Sequence, residues 1–197
     1  MKSRSGYTII ELLVVVAIMA ITAGTLVSFN RLGQDQVTMY VEASKIVDVI
    51  LRAKSLAISA YREPGRATCA HGIFIDTATN PGTFSLNRYL KKEATGGSSP
   101  VPCASIGSST SKISYYDPRV VESSSSTLSR GIVFDAVETN ISNIIFRPPD
   151  PEIFFFNPNG DISLGRTGTI VIKNSNSGDK IRIVVGQGGQ ITYNFID

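Results

Sequence analysis

From Tyr7 to Phe29 the chain carries one charged side chain, Glu11. Behind it runs Leu12-Leu13-Val14-Val15-Val16-Ala17-Ile18-Met19-Ala20-Ile21, and Thr8, Thr22, Thr25 and Ser28 can return their hydroxyls to helical carbonyls. A helix needs roughly 20 apolar residues to cross a bilayer, and this stretch is long enough. Lys2 and Arg4 precede it and few cations follow closely, which favours an N-terminus in the cytoplasm and a C-terminal part outside. A cleaved secretory signal is the rival reading. Such a signal has an apolar core of about 7–15 residues and a small-residue cleavage site after that core. Here the core is longer, and the small residue Gly6 stands before it.

Glu11 is the costly feature. A carboxylate at the centre of a bilayer costs about 2.5–3.5 kcal/mol or more, so it has a partner, a job or a route to water. One reading places Glu11 near enough to the interface to be hydrated. The other pairs it with a cation from another chain. A cut after Gly6 would give Tyr7 a free α-amine, of the right charge to meet a buried carboxylate on a neighbouring copy.

The stretch Gly6-Tyr7-Thr8-Ile9-Ile10-Glu11-Leu12-Leu13-Val14-Val15-Val16-Ala17-Ile18 resembles the processing site of type IV prepilins and type II secretion pseudopilins. The resemblance implies a prepilin peptidase that cuts after Gly6 and methylates the new N-terminal residue, Tyr7. Tyr7 stands where the family usually has phenylalanine, and Thr8 matches its frequent threonine. Glu11 matches the glutamate tied to subunit recruitment and assembly. The likeness covers about the first 30 residues.

With 197 residues, one membrane helix leaves room for one globular domain of ordinary size. A net charge of +3 and 18% charged residues do not describe a polyelectrolyte binder, and the largest basic block is Lys91-Lys92. The two cysteines, Cys69 and Cys103, do not form a CxxC pair, and with the single His71 they cannot complete a four-ligand zinc site. In an oxidising compartment the expectation is a Cys69–Cys103 disulfide across a Gly/Ser/Pro-rich loop, with two buried thiols as the alternative.

Apolar residues return at helical spacing after Gln36, at Val37, Tyr40, Val41, Val47, Ile50, Leu51, Ala57 and Ile58, with Glu42, Lys45, Asp48, Arg52 and Lys54 between them. Pro64-Gly65 ends the segment. One helix from about Tyr7 to about Tyr61 is expected, its second half amphipathic and packed on a sheet. The remainder reads as β. Gly72–Asp76, Thr83–Leu90, Lys112–Tyr116 and Gly131–Phe134 are strand candidates, Asn80-Pro81-Gly82 is a turn, and Ser123–Ser126 reads as a solvated loop. The segments after Ile153 suggest four strands in an antiparallel meander with short turns, including Gly186-Gln187-Gly188-Gly189. Their order resembles the C-terminal half of GspH/FimT-type minor pilins and pseudopilins.

Little in the chain points to catalysis. Cys69 and His71 have no orienting carboxylate beside them. No phosphate cradle is present, and Asn157-Pro158-Asn159-Gly160-Asp161 reads as a turn, not a calcium loop. The pattern Asn140-Ile141-Ser142 is a weak glycan acceptor. Some FimT-like relatives are thought to hold DNA with arginines near the last strand turn. Here Gln187 and Gln190 stand there, and Lys180 and Arg182, with Arg166 and Lys173, offer a modest basic patch.

The expected architecture is thus α+β, a type IV pilin-like fold with a long N-terminal helix on an antiparallel sheet. Residues 1–6 are a leader, 7–29 a membrane or filament-core helix, 30–61 its amphipathic continuation and 62–197 an extracytoplasmic β-rich domain. The expected role is a structural subunit, minor pilin or pseudopilin, without cofactor, metal or enzymatic activity. No proline precedes Pro64, whereas many major pilins carry a helix-breaking one. The implied partners are the prepilin peptidase/methyltransferase, other subunits of a helical filament, an inner-membrane assembly platform and, before assembly, the membrane. The alternative is a filament-tip subunit that binds DNA for uptake or acts as an adhesin.

Overall fold

The computed structural model describes residues 8–60, 68–90, 120–148, 152–163 and 165–196. The chain divides into two compact units, residues 1–38 and 39–197. Gly6, Tyr7, Tyr61, Pro64-Gly65, Cys103 and the candidate strand Lys112–Tyr116 lie outside the described residues.

Helix α1 runs Ile9–Ala60, 52 residues without a proline. Val14-Val15-Val16 is a poor helix former by propensity, since β-branching restricts χ1. An apolar environment reverses that preference, because a helix satisfies every main-chain group internally.

In the second unit, Met39, Ala43, Ile46, Ile50, Ala53 and Ala57 are buried on one stripe of α1. They recur in alternating steps of four and three, the spacing of one helical face. Ten strands follow. They are β1 (Thr68–Asp76), β2 (Thr83–Leu90), β3 (Val120–Thr127), β4 (Ile132–Phe134), β5 (Asn143–Arg147), β6 (Glu152–Phe156), β7 (Ile162–Ser163), β8 (Thr167–Asn174), β9 (Lys180–Gly186) and β10 (Ile191–Ile196). They form a six-stranded sheet, order β3-β2-β1-β5-β6-β7, and a four-stranded sheet, order β10-β9-β8-β4. Every pairing is antiparallel. The fold is therefore α+β, with a helix packed on antiparallel sheets.

The buried helix stripe shares one core with Ile73, Ile75, Ile144, Phe146, Ile153 and Phe155 of the larger sheet and Ile170, Ile172, Ile181, Ile183 and Val185 of the smaller one. A second cluster gathers Cys69, Ala70, Tyr89, Ile145 and Phe156. On β5 the period-two alternation explains the split: Ile144 and Phe146 face the main core, Ile145 the second cluster. Gly72 is required here, since a Cβ would stand 2.6 Å from the Ile144 carbonyl oxygen on β5.

Several expectations are corrected. The buried helical face contains Ile50 and Ala57 as read, but Val37, Tyr40, Val41, Leu51 and Ile58 are exposed. The buried stripe instead alternates small and large residues, Ala43, Ala53 and Ala57 with Met39, Ile46 and Ile50. Ser123–Ser126 belongs to β3, paired with β2 from Ser123↔Asn87 to Ser126↔Phe84. The ladder supplies main-chain partners irrespective of serine's low apolarity. β1 begins at Thr68, earlier than its apolar run suggests, with a register shift at Thr68/Ala70. The C-terminal meander is split: β6 and β7 complete the larger sheet, while β8, β9 and β10 form a three-strand meander in the smaller one. Thr83–Leu90 matches β2, and the Asn80-Pro81-Gly82 turn is closed by the Thr83 N–H on the Asn80 carbonyl at 2.8 Å.

Candidate processing and assembly site

Thr8 is the N-cap of α1 and Glu11 lies three residues on. The Glu11 N–H donates to Thr8 Oγ1 at 3.3 Å, and the Thr8 N–H donates to Glu11 Oε2 at 3.4 Å. This is a reciprocal capping box, which satisfies two main-chain donors that a helix start otherwise leaves open. The Thr-x-x-Glu spacing announces it in the sequence. The carboxylate also sits where the helix dipole favours negative charge.

Behind the box, Ile9–Leu26 has a mean hydropathy of 2.4 and none of it is buried. Ile9 is 84% exposed, and Leu12, Leu13, Met19 and Ile21 are similarly bare. The Thr22 hydroxyl donates to the Ile18 and Met19 carbonyls and that of Thr25 to Thr22, so these polar groups need no water. The segment is long and apolar enough to cross a membrane.

In the second unit, Glu42 is a feature that sequence reasoning missed. It was read as a polar-face residue, yet it is buried. Lys45 Nζ and Ser129 Oγ both donate to its Oε1 at 2.6 Å. Burial pushes the carboxyl up, but these two hydrogen bonds and the Lys45 charge outweigh it and hold the group below the ordinary carboxylate range. Ser129 lies 87 residues away in sequence, which is why no local pattern reveals the pair.

Lys180 and Arg182 both stand on β9, but acids already engage them. Lys180 Nζ lies 3.1 Å from Asp135 Oδ2 and is ion-paired with Glu138, and Arg182 lies 3.5 Å from Glu138. Donating hydrogen bonds to the Glu138 and Asp135 carboxylates raises the Lys180 pKa. Asp135 is held below its ordinary value: burial raises it, but Lys180 and the Val137 and Glu138 N–H groups prevail. Lys180 and Arg182 are thus matched by Asp135 and Glu138.

Cys69 is buried and disulfide-bonded. His71 is also buried on β1, but the register shift beside Cys69 interrupts simple alternation between the two. Asn157 Oδ1 accepts the Asn159 and Asp161 N–H groups, which makes Asn157–Asp161 a closed turn. Asn140 Oδ1 accepts the Thr169 N–H at 2.8 Å, clipping its loop to β8. Gly186–Gln190 forms the β9–β10 turn, with Gly189 at φ 76°. Among the described residues, no group of three His, Cys, Asp or Glu side chains could hold a metal.

Capped start, bare apolar helix and antiparallel domain define an α+β protein with an apolar N-terminal helix. The signature described as the prokaryotic N-terminal methylation motif matches residues 1–27. Among solved structures it is similar to the minor pseudopilin EpsH from the type 2 secretion system of Vibrio cholerae. The two share 13% identity over 80% of this chain and 96% of that one, with a TM-score of 0.38, too remote to carry an argument. Comparison with curated proteins found no match.

Proposed function

We propose that this chain is a minor pilin or pseudopilin of the GspH/FimT-like kind, a structural subunit without catalytic activity. A prepilin peptidase cuts it after Gly6 and methylates Tyr7. It enters the membrane with its N-terminus in the cytoplasm and its β-rich domain outside. An assembly platform then feeds it into a filament of like subunits. Residues 7–29 supply the membrane and filament core, 30–61 the amphipathic continuation and 62–197 the extracytoplasmic domain. Cys103 is the disulfide partner of Cys69.

The supporting observation is the bare segment Ile9–Leu26, none of which is buried. That much apolar surface is stable under lipid or under neighbouring helices, and assembly exchanges one for the other. Glu11 then serves twice. It caps its own helix through one set of lone pairs and accepts the Tyr7 amine of a neighbour through another, since an ionised carboxylate offers about four acceptor sites. A DNA-binding or adhesive tip subunit is the less supported alternative, because Asp135 and Glu138 already engage Lys180 and Arg182.

Glu11→Gln tests the electrostatic half cleanly. Glutamine keeps a capping box but removes the charge. Loss of cross-linkable assembly in Glu11→Gln, with membrane insertion intact, is expected. Wild-type assembly by this variant would remove the amine pairing.

A further inference from the structure

The outer edge of β10 is an open, uncharged strand edge. β10 is outermost in the four-stranded sheet, and among the described residues no main-chain group pairs with its free side. Its sequence, Ile191-Thr192-Tyr193-Asn194-Phe195-Ile196, holds no proline, glycine or charge. The other described edges are guarded. β4 is short, and its Ile132 and Phe134 N–H groups donate to Ser129 and Pro81. β7 has two residues, and β3 is serine-rich and carries Glu122. Natural sheets blunt exposed edges in these ways, with short strands and charge, and β10 carries neither device.

The free groups can be named. The Gly186 N–H donates to the Gln190 carbonyl, and β10 pairs with β9 without a register shift from Ile191↔Val185 to Ile196↔Lys180. Antiparallel alternation therefore turns Thr192, Asn194 and Ile196 towards β9. The N–H and C=O groups of Ile191, Tyr193 and Phe195 point outward. The Asn194 side-chain amide donates to the Phe195 carbonyl at 3.0 Å, a substitute for the missing strand. The edge also packs on α1. The Tyr40 ring meets Phe195 at 4.9 Å and Tyr193 at 6.2 Å, both edge to face.

We propose that the β10 edge takes up an extended segment of another polypeptide, uncharged and apolar at every second position, by strand addition. Main-chain bonds to Ile191, Tyr193 and Phe195 supply the attachment, and side chains on the helix side lie against exposed Tyr40. A charged partner is not called for, because the nearby cations Lys180 and Arg182 are already matched by Asp135 and Glu138. A second copy of β10 is the competing occupant, and the test below separates the two.

The test uses the full chain in detergent micelles and a peptide of alternating valine and threonine with a lysine at each end. Amide hydrogen exchange is read residue by residue. The peptide is expected to slow exchange at Tyr193 and Phe195 by at least about tenfold while leaving Thr192 and Asn194, already bonded to β9, unchanged. Tyr193→Pro, which removes one outward donor, abolishes the effect, and Tyr193→Thr retains it. Continued protection of Arg182 and Val184 shows that the proline variant keeps its sheet. No slowing at Tyr193 and Phe195, or equal slowing in Tyr193→Pro, overturns the proposal. Slowing that grows with protein concentration without peptide also overturns it, in favour of a second copy. N-terminal processing, read by mass, is independent of either result, so failure of the edge and failure of the anchor are distinguishable.

Discussion

Two stretches of α1 both carry apolar side chains and meet opposite fates. From Ile9 to Leu26 no residue is buried, whereas from Met39 to Ala57 one stripe of six side chains is buried under the sheets. The difference lies in the opposite face of the helix. The later stretch alternates its apolar stripe with Lys45, Asp48, Arg52 and Lys54, so one side can stay in water. The earlier stretch is apolar all round and has no side to give to water. A helix like Met39–Ala57 completes a domain of its own chain, and one like Ile9–Leu26 needs a foreign apolar phase.

The sharpest way to break this comparison is to place the same charge in both stretches. Ile50→Asp sinks a carboxylate into the core and is expected to cost more than about 4 kcal/mol, seen as loss of the cooperative melt. Val16→Asp should leave that melt within about 0.5 kcal/mol of the parent and instead deplete the chain from the membrane fraction. Equal melting of both variants would erase the distinction. Next in size is Gly72→Ala, which drives a Cβ against the Ile144 carbonyl and should cost about 1–3 kcal/mol by denaturant unfolding. Thr8→Ala removes half the capping box and should cost about 1 kcal/mol, read as faster amide exchange in the first turn of α1.

The smallest effect concerns pH. Glu42 and Asp135 both have folded pKa values below their ordinary ones. Their contribution is therefore fully present above the unfolded values and is lost as pH falls through the folded ones, below about pH 4.5 for Glu42. Glu42→Gln should flatten the acid limb of the stability curve in that window and leave it unchanged at neutral pH apart from a constant offset. Lys180 has the opposite sign, because its pKa is raised. Its contribution is present below the ordinary lysine value and lost only in strong alkali.

What the sequence discloses follows from the range of each interaction. The apolar run, the turn before Thr83 and the β8–β9–β10 meander depend on neighbours in the chain, and all three are readable. The buried stripe of α1 is not, because Val37, Tyr40, Val41, Leu51 and Ile58 offer a second apolar face and the choice between faces is made by the sheets. Ser123–Ser126 reads as loop because serine has little strand preference, yet β2 supplies the ladder. The neutralised basic pair is likewise hidden, since Asp135 and Glu138 reach Lys180 and Arg182 across the fold. At the start of α1 the motif is plain, and the Thr8–Glu11 cap is written in the Thr-x-x-Glu spacing.

The most direct test of the central claim is the intact mass of the membrane-extracted chain after co-expression with a prepilin peptidase. The account predicts a chain that has lost Met1–Gly6 and gained one methyl group on Tyr7. A chain of unaltered mass, recovered from the membrane beside an active peptidase, would contradict it.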